Sequence, residues 1–132
     1  MINAHIQSEH YKTLLTNGRH EIISDEPAAV GGSDLGMAPT ELLLSSLGAC
    51  TAITLRLYAD RKGWPLTDVR VELSLESSKV DGQTVTGISR NIQLEGSLDE
   101  DQRNSLIEIA NKCPIHRVLT GQIHIHTQEV IV

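Results

Sequence analysis

The period of the apolar residues changes along this chain, and each change marks a new element. Over Ile2–Ser8, Ile2, Ala4 and Ile6 alternate with Asn3, His5 and Gln7, the period of a half-buried strand. Two further strand-like runs, Tyr11–Thr16 and Arg19–Ser24, flank Asn17-Gly18. Both of those residues accept the positive φ of a type I′ turn, so the pattern predicts a hairpin and, with the first run, three antiparallel strands. Asp25–Pro39 carries Pro27, Gly31, Gly32, Gly36 and Pro39 and reads as a long loop.

From Thr40 the period becomes helical. Leu42, Leu43, Leu44, Leu47, Ala49, Cys50, Ile53, Leu57 and Tyr58 cover most of the helical circumference, which predicts a helix buried on all sides and ending near Arg61-Lys62-Gly63. So short a chain has little else with which to cover it, and a second copy would supply what is missing. Alternation then returns. Val69, Val71, Leu73 and Leu75 predict one strand and Val85–Leu94 a second, joined at Asp81-Gly82. Ser97 and Glu100 stand at capping-box spacing ahead of a helix whose Leu106, Ile109, Ala110 and Cys113 share one face. Pro114 breaks that helix and suits the first position of a short one, Pro114–Thr120. Gln122–Ile131, with Ile123 and Ile125 against His124 and His126, predicts a last strand. The order βββ-α-ββ-αα-β is that of an α+β fold, and no linker divides residues 1–132, so a single domain is expected.

Charge and composition narrow the partners. Eleven basic residues against 17 acidic ones give a net charge of −6, the wrong sign for phosphate backbones or anionic lipid. Tyr11, Tyr58 and Trp64 are the only aromatic rings besides histidine, too few for base stacking, so neither nucleic acid nor membrane is an expected partner. The longest uncharged stretch, Leu42–Leu55, has 14 residues, against the roughly 20 a bilayer requires. Met1-Ile2-Asn3-Ala4-His5 has neither the basic start nor the apolar run of a secretion signal, and the cytoplasm is the expected compartment.

Cys50 and Cys113 are the only cysteines, and both fall on inward helix faces. Read alone they are either buried small hydrophobes or a redox pair. Cys113-x-x-His116 is half of a zinc motif without its other half, and no metal is expected. A thiolate in a dry core needs a cation, and Arg19 on the first hairpin is a long-range candidate.

The segment Pro39-Thr40-Glu41-Leu42-Leu43-Leu44-Ser45-Ser46-Leu47-Gly48-Ala49-Cys50-Thr51 resembles the first cysteine motif of the OsmC/Ohr family, the osmotically inducible protein C and organic hydroperoxide resistance proteins. Lys112-Cys113-Pro114-Ile115-His116-Arg117-Val118-Leu119 resembles the second. The resemblance, closest to a less characterised OsmC-like branch, implies an intertwined homodimer with antiparallel sheets around a long central helix. It implies a thiol peroxidase of oxidative stress defence that reduces organic hydroperoxides. Cys50 would attack as thiolate and become a sulfenic acid, and Cys113 would close a disulfide that an external dithiol reopens. No metal, flavin or haem takes part in that chemistry. The family holds its thiolate with an Arg and that Arg with a Glu; here Arg19 and Glu41 are the candidates, although the family's Glu position, ten residues before the cysteine, is Thr40. A non-catalytic dimer binding a small apolar or thiol metabolite in its interface cleft is the alternative.

Overall fold

The computed structural model describes residues 1–132, which form two compact units, Met1–Ser46 and Leu47–Val132. In the first, strands β1 (Asn3–Ile6), β2 (Thr13–Thr16) and β3 (Glu21–Ser24) make an antiparallel sheet in the order β1-β2-β3. Leu15 pairs with Ala4 on one side and Ile22 on the other. The β2–β3 connection departs from the two-residue turn that Asn17-Gly18 predicts. Thr16 pairs with Glu21, so four residues lie between the strands, and Arg19 sits in the turn. The cause is the Asn17 side chain: its Oδ1 accepts from Arg19 N at 2.9 Å and His20 N at 2.8 Å, a local bond that competes with the type I′ geometry.

The loop after β3 is organised around one buried carboxylate. Asp25 Oδ1 accepts from Tyr11 N at 2.9 Å and Glu26 N at 2.8 Å, and Oδ2 from Leu35 N at 3.3 Å. Burial by itself raises the Asp25 carboxyl, but the backbone bonds of Tyr11, Glu26, Leu35 and Ser33 outweigh it and hold its pKa below the ordinary 3.8. Inside the loop, Ala28–Val30 makes one 3-10 turn.

Helix α1 runs from Pro39 to Lys62. Its start is tied by Glu41, whose Oε1 accepts from Ala38 N at 3.2 Å. Only the stripe Leu47, Thr51, Leu55, Ala59 is buried, so the expectation of burial on every side fails within one chain. Ile53 and Leu57 are each 58% exposed. One two-stranded sheet and one amphipathic helix cover a single face of α1 and no more. By length and composition α1 could also cross a bilayer, yet its buried stripe is the core of the second unit.

That unit pairs β4 (Leu66–Val80) with β5 (Gln83–Gly96) in one long antiparallel hairpin. The turn at Asp81-Gly82 falls where the sequence predicts one, and both residues take positive φ, 50° and 79°, as in a type I′ turn. The register places Val69 opposite Leu94, Val71 opposite Ile92, Leu73 opposite Arg90 and Leu75 opposite Ile88. Gly48 of α1 packs hard on this sheet, since a Cβ there would stand 2.8 Å from Leu73 Cδ1. Helix α2 (Glu100–Ala110) completes the core: Leu55, Ala59, Leu66, Leu106 and Ala110 form one buried cluster. Truncating the fully buried Leu106 to Ala would cost about 2–5 kcal/mol.

Two further expectations are corrected here. The capping box of α2 is Asp99/Gln102, not Ser97/Glu100; Asp99 Oδ1 accepts from Gln102 N at 2.8 Å and Gln102 Oε1 from Asp99 N at 3.0 Å. After α3 (Pro114–Thr120), Gln122–Ile131 forms no strand, so the order within one chain is βββ-α-ββ-αα. A strand exists only by pairing, and these residues are exposed with no ladder partner in the chain. The α+β class and the antiparallel sheets are as the sequence predicts.

Candidate active site

Cys113 is fully buried and stands at the N-cap of α3, with φ −64° and ψ 143°. Pro114 at the first helical position fixes this geometry, and Cys113 Sγ accepts from His116 N at 3.3 Å. The α1 side chain in polar contact with that sulfur is Thr51, whose Oγ1 lies 4.0 Å away. Thr51 Oγ1 donates its one hydrogen to Leu47 O at 2.7 Å, so toward Cys113 it acts as acceptor from the thiol.

Arg90 binds the cluster together from β5. Its Nη1 donates to Thr51 Oγ1 at 3.0 Å and to Ala110 O at 3.2 Å. Its Nη2 donates to Asn111 Oδ1 at 2.8 Å and meets His116 Nδ1 at 3.2 Å. A guanidinium only donates, so His116 Nδ1 must be an unprotonated acceptor and the ring carries its hydrogen on Nε2. One charged side chain thus joins α1, the end of α2 and α3. Arg90, Asn111 and His116 also line an open cavity of about 430 Å³, together with Leu47, Ile88, Leu119, Thr86 and Thr120.

The four residues singled out in the sequence are placed as follows. Cys50 precedes Thr51, about 100° around the helix from it, and is half-buried. No disulfide joins the two cysteines. Arg19 and Glu41 belong to the N-terminal unit, where Arg19 occupies the Asn17 turn and Glu41 caps α1. His116 engages Arg90 through Nδ1, and no group of three or more His, Cys, Asp or Glu side chains is placed to hold a metal ion.

Sequence reasoning missed Arg90, Thr51 and Asn111. For Arg90 a signal existed. It occupies the register position between Ile88 and Ile92 on the apolar side of a strand, where an arginine is out of pattern. Thr51 likewise interrupts an otherwise apolar buried stripe.

A family model for OsmC-like proteins matches residues 31–128, about three quarters of the chain. Among solved structures, an OsmC-like protein from Mycoplasma pneumoniae is similar at 22% identity and TM-score 0.78, over 92% of this chain and 86% of that one. The organic hydroperoxide resistance protein OsmC from Legionella pneumophila is similar at 20% identity and TM-score 0.69, over 92% and 88%. OhrB of Bacillus subtilis, an organic hydroperoxide resistance protein, is similar at 21% identity and TM-score 0.66, over 92% and 90%. No curated protein matches at the level of sequence. On the family match over most of its length and the shared fold, the chain belongs to the OsmC-like family.

Proposed function

We propose that this protein is a cytoplasmic, homodimeric thiol peroxidase that reduces organic hydroperoxides through Cys50 and Cys113. The observation that carries the reading is the setting of Cys113: a buried sulfur bonded by His116 N, with Thr51, the neighbour of Cys50, against it and the Arg90 guanidinium on that same Thr51 hydroxyl. Two similar structures are of organic hydroperoxide resistance proteins, which supports the substrate class.

In this reading the Cys50 thiolate attacks one oxygen of ROOH. The O–O bond breaks, the alkoxide takes a proton and leaves as alcohol, and Cys50 becomes a sulfenic acid. The Cys113 sulfur then displaces hydroxide from Cys50, releasing water and closing the disulfide. An external dithiol returns two electrons and two protons and leaves as its own disulfide. The chain's part is to deliver Cys113 by the Pro114 turn and to keep it buried, which protects its sulfur from direct oxidation. Glu41 contributes by fixing the start of the helix that carries Cys50. Arg19 is the proposed cation for the Cys50 thiolate, and its replacement by Gln tests that role separately.

A second copy is proposed over the exposed side of α1, where Ile53 and Leu57 would otherwise face water. The test of the activity is consumption of cumene hydroperoxide with a dithiol present. Turnover lost in Cys50→Ser and Cys113→Ser supports the reading; a wild-type rate no higher than that of Cys50→Ser rejects it.

A further inference from the structure

The inner face of the β4–β5 hairpin carries Lys79, exposed near the turn, and Arg90, set between Ile88 and Ile92. Acidic residues outnumber basic ones 17 to 11, yet the two ion pairs of the chain are Arg56–Asp60 and Arg70–Asp68. Arg90 has none. Its four acceptors, Thr51 Oγ1, Ala110 O, Asn111 Oδ1 and His116 Nδ1, are all neutral. A partly buried guanidinium held only by neutral acceptors keeps its full charge, which attracts an anion from outside the chain.

The surroundings define that anion. With Nδ1 accepting from Arg90, His116 is neutral and keeps its Nε2 hydrogen to donate. Asn111 accepts through Oδ1, which leaves its amide nitrogen as a second donor. Arg90 is already fixed by bonds to three elements, so little ordering is needed when a ligand binds. The net charge presented is a single positive one, which matches a monoanion; a phosphate dianion would leave excess negative charge. The remaining wall is apolar, with Leu47, Ile88 and Leu119 beside the polar groups. A volume of about 430 Å³ falls in the range of small-molecule sites.

We infer that this cavity binds a small monocarboxylate with a hydrocarbon body. The carboxylate accepts from the His116 Nε2 and Asn111 amide hydrogens beside the Arg90 charge, whose four Nη hydrogens are already committed, and the hydrocarbon body lies along Leu47, Ile88 and Leu119. The site lies within the C-terminal unit and shares Arg90 and His116 with the cluster around Cys113, but it involves no redox step and does not depend on the peroxidase reading.

Isothermal titration calorimetry of the full, reduced chain with octanoate tests it. Saturable binding of one octanoate per chain is expected, with octanamide and inorganic phosphate each binding about tenfold or more weakly. Arg90→Gln should lose affinity by a similar factor. Ile88→Trp leaves the guanidinium in place and fills the cavity, and it should also abolish binding, which keeps the test open if Arg90→Gln does not fold. No saturable binding to the wild type overturns the inference. So does octanamide binding as tightly as octanoate, or octanoate affinity unchanged in Ile88→Trp. Because calorimetry reads binding without turnover, failure here and failure of the peroxide assay are separate results.

Discussion

Thr51 Oγ1 lies 4.0 Å from Cys113 Sγ, although the two residues are 62 positions apart in the chain. The same oxygen takes a hydrogen bond from Arg90 and gives one to Leu47 O. Thr51→Val keeps the shape and removes the hydroxyl, leaving an Arg90 N–H without its acceptor. The expected loss of stability is about 1–3 kcal/mol, read from urea unfolding. Thr51→Ser, which keeps the oxygen, should lose less than Val does; equal losses would mean that the hydroxyl network contributes nothing.

The Arg90–His116 contact fixes a tautomer. Long-range 1H–15N spectra of the histidines should show the His116 hydrogen on Nε2, with Nδ1 bare toward Arg90. In Arg90→Met, where nothing donates to Nδ1, the two tautomers should mix. A hydrogen on Nδ1 in the wild type would contradict the arrangement.

Asp25 makes the N-terminal loop sensitive to acid. Its folded pKa is lowered below 3.8, chiefly because backbone N–H bonds overcome the effect of burial. A lowered folded value means that the unfolded chain binds the proton first. The stabilisation is therefore full above the unfolded carboxylate range and is lost as pH falls through the lower folded value. Hydrogen exchange at the Tyr11 and Leu35 amides should lose protection over that window in the wild type. Asp25→Asn should show weaker protection at neutral pH and no such loss on acidification.

The apolar side of α1 predicts association. Leu57→Glu places a charge at a position that is 58% exposed in one chain, so a monomer should tolerate it with little change in stability. Sedimentation should find the wild type as a dimer and Leu57→Glu as a monomer. A wild type that sediments as a monomer rejects the shared cover.

Much of the fold was legible because local chemistry decides it. Asp81-Gly82 dictates its turn, Pro114 the restart at α3, and the alternation of Val69 to Leu75 one face of β4. Where competing local bonds exist, the pattern misleads: Asn17 prefers its side-chain turn, and Asp99 takes the cap from Ser97. The last strand fails for a different reason, since Ile123 and Ile125 alternate correctly but have no strand beside them. At the site, the cysteine motifs located Cys50 and Cys113 by pattern. Arg90 and Thr51 were hidden because their roles arise only when β5, α1 and α3 meet. Their sole trace in the sequence is a polar residue on an apolar face.

The central claim concerns the two sulfurs, and intact mass spectrometry of the reduced protein after one equivalent of cumene hydroperoxide tests it most directly. The account predicts that the wild type loses the mass of two hydrogens and yields a Cys50–Cys113 linked peptide, while Cys113→Ser gains one oxygen on Cys50. A wild type whose mass is unchanged while peroxide persists, or one oxidised only at Cys113, would contradict it.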